Sequence, residues 1–153
     1  MIVFPSGIVS ERVGYEDGEQ ALPSLVLTGH EPLRRRLQLI TEARGCSCRA
    51  PVTVAAAWRD LGACPRLAFI DLAHPLDGRS DETRAIAETL AEQRGVMLVI
   101  CGGPPPVMDQ VFGGADEIWA RELGAFVYLP GVGTDAGIAL VVDEAHGLPF
   151  QPA

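Results

Sequence analysis

Five times along this chain a short apolar run gives way to a stretch with helical spacing. Ser24 to Thr28 (SLVLT), Ser47 to Val52, Leu67 to Leu72, Val96 to Ile100 and Ala125 to Leu129 read as strands. The second is the weakest and suits a sheet edge. Between the first two, Leu33, Leu37 and Ile40 fall at i, i+4 and i+7, predicting a helix over 31–44. Pro32 fits its first turn and Gly45 its stop. Thr53 caps a short helix in which Val54, Trp58 and Leu61 share a face, closed by Gly62 and Pro65. Ser80 or Asp81 caps the next, with Ile86 and Leu90 inward. Met108 to Leu123 holds one or two short helices around Gly113-Gly114, and Thr134 caps a last helix reaching about Ala145. Strict alternation of this kind predicts a parallel sheet with helices on both faces, joined by right-handed crossovers.

Length and composition allow such a sheet. A chain of 153 residues suits one domain with a real core, and 48% hydrophobic residues argue against wholesale disorder. Residues 24–146 form the expected domain. Residues 1–23 read as an N-terminal arm or small hairpin, and 147–153 as a Pro-rich tail. No apolar run is long enough to span a bilayer, and no basic start precedes Ile2 to Phe4, so a cytoplasmic protein without membrane contact is expected.

The net charge of −8 opposes a nucleic-acid partner. Arg34-Arg35-Arg36 reads as a solvated helix face. The four cysteines lack the CxxC spacing of redox and zinc motifs and read as free thiols. Gly102-Gly103 is followed by three prolines and no GKS or GKT, so it is no phosphate loop.

The stretch Arg66 to Gly78, RLAFIDLAHPLDG, carries the candidate chemistry. Its apolar run ends in Asp71, where a buried strand would leave the sheet. Open α/β sheets place ligands and chemistry at that edge. Asp77-Gly78 reads as a turn.

Four stretches together resemble the receiver domain of two-component response regulators. LVLTGHEPLRR (25–35) resembles the first strand and helix start. LAFIDLAHPLDG (67–78) resembles the strand bearing the phosphoacceptor, one residue short of D-x-x-x-P-x-x-D-G. VMLVICG (96–102) resembles the fourth strand, and ARELGAFVYLP (120–130) the A-x-x-x-G-A-x-x-Y-L approach to a Lys-Pro. The resemblance implies a doubly wound, flavodoxin-like sheet with strand order 2-1-3-4-5 in a three-layer α/β/α domain. It implies that Asp71 is the phosphoacceptor position and that Cys101 and Tyr128 occupy the switch positions. It further implies a signalling protein as partner, such as a histidine kinase, and a possible homodimer.

The sequence departs from that family where the chemistry is made. Two acids belong after the first strand to hold Mg²⁺, but Gly29 and His30 stand there, with Glu31 one step later. The family lysine would fall at Leu129 or Gly131, and all twelve basic residues are arginine. Cys101 replaces a hydroxyl, and a thiol is a weak donor. Phosphoryl transfer depends on positioning and charge neutralisation, so these losses compound.

The leading reading is therefore a stand-alone pseudo-receiver: not an enzyme, without a cofactor, acting by protein–protein interaction. Mg²⁺ belongs only to the alternative, a regulator phosphorylated on Asp71. A further alternative is a flavodoxin-like small-molecule binder. His30, Asp71, His74 and Cys101 near one sheet edge also form a conceivable transition-metal set.

Overall fold

Five parallel strands pair in the order β2-β1-β3-β4-β5 in a computed structural model that describes residues 21–103 and 114–147. The strands are β1 (Leu22–Leu27), β2 (Cys46–Arg49), β3 (Leu67–Asp71), β4 (Met97–Gly102) and β5 (Val127–Pro130). The helices are α1 (Glu31–Ala43), α2 (Val54–Asp60), α3 (Ser80–Ala91), α4 (Ala115–Leu123) and α5 (Asp135–Gly147). This is the expected sheet in the expected order. Of the arm or hairpin read over 1–23, residues 1–20 lie outside the described residues, as do the helix start read at Met108 and the end of the tail, while Leu22 and Pro23 belong to β1.

β3 is central because both its faces are apolar. All five of its residues are buried, as are all six of β4. Alternate side chains of a strand point to opposite faces, and they divide the core in two. Val26, Phe69, Val99 and Cys101 pack beneath α1 and α5 with Leu33, Leu37, Ile138 and Val142. Leu25, Leu27, Ala68, Ile70 and Ile100 pack beneath α2, α3 and α4 with Val54, Ile86, Leu90 and Ala120.

Local chemistry sets the element ends. Thr53 accepts a hydrogen bond from the Ala56 amide and caps α2. Thr134 does the same for α5 through the Gly137 amide at 3.0 Å. Gly45 ends α1 with φ +88°. The start of α3 departs from the expectation of a Ser80 or Asp81 cap. Its cap residue is Arg79, and Ser80 is already helical. The stabilising hydroxyl sits inside the helix: Thr83 Oγ1 donates to the Arg79 carbonyl and accepts from the Leu76 amide. Asp77 sits in the turn read from the sequence, at φ 55°, and its carboxyl accepts from the Val54 amide at 2.8 Å, tying the β3–α3 loop to α2.

Candidate functional site

The parallel register continues past the strand ends and brings polar residues together there. Leu27 pairs with Ile70, and Asp71 pairs with Cys101. Thr28 follows β1 and meets Asp71 across the sheet. Its hydroxyl donates to Asp71 Oδ2 at 2.7 Å and accepts from the His30 amide at 3.0 Å. The same Oδ2 accepts from His74 Nδ1 at 3.0 Å, and Oδ1 accepts from the Ala73 amide at 2.9 Å. Asp71 is 1% exposed. Both its oxygens are engaged by the protein.

The β1–α1 and β3–α3 loops close over this group. The Gly29 amide donates to the His74 carbonyl at 2.7 Å. A Cβ at Gly29 would meet the Pro75 carbonyl oxygen at 2.7 Å, closer than such atoms approach, so residue 29 has no room for a side chain. His30 stacks on His74 with ring centroids 4.5 Å apart and planes 22° from parallel. Glu31 faces outward to Arg34 and Arg35 and takes no part in the cleft.

That cleft, of about 370 Å³, is walled by His30, Arg36, His74, Gly103 and Val132, with Asp71 in its floor. Arg36 supplies a guanidinium there, engaged by Asp135 and by the Gly133 carbonyl. At the two lysine-equivalent positions, Gly131 lies on the cleft wall, whereas Leu129 packs into the α1/α5-side core.

Of the conceivable metal set, His30, His74 and Asp71 come together. Stacked imidazoles direct their in-plane lone pairs side by side rather than at one point. Cys101 is fully buried, its thiol in the α1/α5-side core. Its pKa is raised by desolvation first and by the Asp71 charge second. Among the described residues, no three His, Cys, Asp or Glu side chains are grouped to hold a metal ion.

The two switch positions lie on opposite faces of the sheet. Tyr128 pairs with Ile100 and packs on the α4 side, while Cys101 faces α1 and α5. The residue beneath the Tyr128 hydroxyl is Gly102, and a Cβ there would collide with that oxygen. Burial, then Asp116 and Glu117, raise the Tyr128 phenol above its ordinary range. Thr28, Arg36 and Gly102 are site residues that sequence reasoning missed; Arg36, read as part of a solvated helix face, turns to the cleft and pairs with Asp135. Thr28 carried a signal, as the polar residue closing an apolar strand beside the strand that closes on Asp71.

A 2-1-3-4-5 parallel sheet with helices on both faces and an aspartate closing the central strand defines the flavodoxin-like, receiver type of domain. The chain has the receiver-domain fold. It is similar to the solved receiver domain of NtrX from Brucella abortus (TM-score 0.65, 19% identity, 82% of this chain and 99% of that one). A CheY-like receiver domain protein from Methanospirillum hungatei superposes with TM-score 0.60 at 16% identity over 84% of this chain and 98% of that one. Against a longer NtrX structure the chain spans about a quarter of the length, 27%, with TM-score 0.64 and 20% identity over 82% of this chain. Neither a protein-family model nor a curated protein matches the chain. No helix of the described residues is long and apolar enough to cross a membrane.

Proposed function

We propose that this chain is a pseudo-receiver, a signalling module that acts by protein–protein interaction and has lost the Mg²⁺-dependent phosphorylation of its central aspartate. The observation that carries this is the state of Asp71: 1% exposed, with hydrogen bonds from Thr28, Ala73 and His74 to its two oxygens. In-line attack on a phosphoryl donor needs an accessible oxygen and a nearby cation. Here the acid positions hold Gly29, which has no room for a side chain, and His30, which stacks on His74. Imidazole suits softer metals than Mg²⁺.

The switch positions support the same reading. Gly102 leaves space for the Tyr128 ring to lie inward without a hydroxyl partner on β4. The surface offered to a signalling partner, a histidine kinase included, is then the α4–β5 face, where Phe126 is exposed beside Tyr128 and Ile118 is exposed on α4.

The test is incubation with acetyl phosphate and Mg²⁺, read by intact mass. The expected result is no phosphate adduct. An adduct that disappears in Asp71→Asn overturns the proposal in favour of a phosphorylatable response regulator.

A further inference from the structure

We infer that His74, rather than Asp71, is the phosphoryl-accepting side chain of the cleft, taking the group on Nε2 from a donor that carries it on nitrogen. His74 Nδ1 lies 3.0 Å from Asp71 Oδ2, and Thr28 and the Ala73 amide hold that carboxyl in place. With the proton kept at Nδ1, the neutral ring carries its lone pair at Nε2. The two ring nitrogens point apart, so Nε2 faces away from buried Asp71. The His74 side chain is 51% exposed, and Nε2 has no hydrogen-bond partner among the described residues. His30 lies nearly flat against the ring. Such a stack restrains rotation and covers one ring face, yet leaves the in-plane lone pair open, and that is the pair that attacks.

The cleft suits an incoming phosphoryl group. Arg36 shares it with His74. Asp135 and the Gly133 carbonyl engage Arg36 Nε and Nη2, and Nη1 has no hydrogen-bond partner among the described residues. A guanidinium is a forked donor well matched to phosphoryl oxygens. In the transfer, the Nε2 lone pair attacks phosphorus and the P–N bond of the donor breaks, its electron pair leaving on the donor nitrogen. From phosphoramidate that nitrogen is already protonated and departs as ammonia. The Nδ1 proton stays on the ring, and Asp71 faces the positive charge that forms there. The bonds that withhold Asp71 thereby orient His74 as a nucleophile, with Asp71 its positioning residue.

The test is incubation of the full chain with potassium phosphoramidate in EDTA, read by intact mass at neutral pH, with circular dichroism confirming that each variant is folded. The first phosphoryl adduct is expected to survive hydroxylamine, to be lost in acid, to persist in His30→Ala and to disappear in His74→Gln. His146, exposed near the end of α5, is the internal reference. His74 is expected to react at least about tenfold faster than His146, and Asp71→Asn to remove that advantage while leaving His146 unchanged. Equal reaction of the two histidines overturns the inference, as does a His74 rate indifferent to Asp71→Asn. A hydroxylamine-labile adduct lost in Asp71→Asn is an acyl phosphate, and overturns this inference and the pseudo-receiver reading together. The absence of any adduct overturns this inference alone.

Discussion

The hydroxyl of Tyr128 occupies the space that a side chain on residue 102 would fill, and glycine at 102 is what lets the ring lie inward. Gly102→Ala is therefore expected to swing the ring toward solvent, since its hydroxyl is the movable end. The phenol then loses its desolvation and ionises closer to the usual value of about 10. Ultraviolet titration of wild type and variant, each minus its Tyr128→Phe counterpart, reads this directly. An unchanged Tyr128 titration would show that the ring does not depend on Gly102.

Thr28 serves two partners with one hydroxyl, donating to Asp71 and accepting from the His30 amide. Thr28→Val keeps the shape, removes one of the two donors to Asp71 Oδ2, which keeps His74, and leaves the His30 amide without this acceptor. The expected cost is about 1–3 kcal/mol, the usual range for losing a hydrogen bond to a charged acceptor. Urea unfolding measures it, and a variant within experimental error of wild type contradicts the account.

Restoring an acid at the family position is expected to fail. Gly29→Asp drives a Cβ into the Pro75 carbonyl, which is backbone and cannot step aside alone. Stability is expected to fall by about 1–3 kcal/mol, with no gain in Mg²⁺-dependent phosphate incorporation. Intact mass after acetyl phosphate treatment, run beside the melting curve, checks both halves.

Burial raises the Cys46 thiol from its ordinary 9.0 to about 11. Between those pH values the folded chain keeps a proton that the unfolded chain has released, so unfolding is favoured as pH rises. The stabilisation is complete below pH 9 and falls away toward pH 11. Melting temperature is expected to drop across that window, and Cys46→Ala to flatten the drop. Alkylation at pH 8 is expected to reach exposed Cys64 well before buried Cys46 and Cys101.

The sheet was legible because each central strand is an unbroken apolar run, and helical spacing separates them. Strand ends were less so. β1 begins at Leu22 rather than Ser24, since Pro23 is accommodated in it: a proline needs no amide partner, and its carbonyl accepts from the Arg66 amide. β2 spans Cys46–Arg49 rather than Ser47 to Val52, and Pro51 has no amide to extend a ladder.

At the site, sequence placed Asp71, His30 and His74 at one edge but did not reveal how they bond. Which face Cys101 takes depends on register counted to the single residue, because one step reverses every side chain of a strand. Thr28 was read only as a strand end because its role lies in a partner 43 positions away.

The Gly29 amide on the His74 carbonyl stitches two loops across the mouth of the central aspartate. On the proposed pseudo-receiver reading, regaining cation chemistry is a problem of path as well as composition. The missing acid must arrive together with a reshaped β3–α3 loop, while His74 gives up Oδ2 and a lysine arises near Gly131. Taken singly, an acid at 29 meets the Pro75 carbonyl, and His74 leaving Oδ2 gives up a hydrogen bond. On that reading the fold stands in a local valley, its own good packing guarding against a return to the switch it resembles.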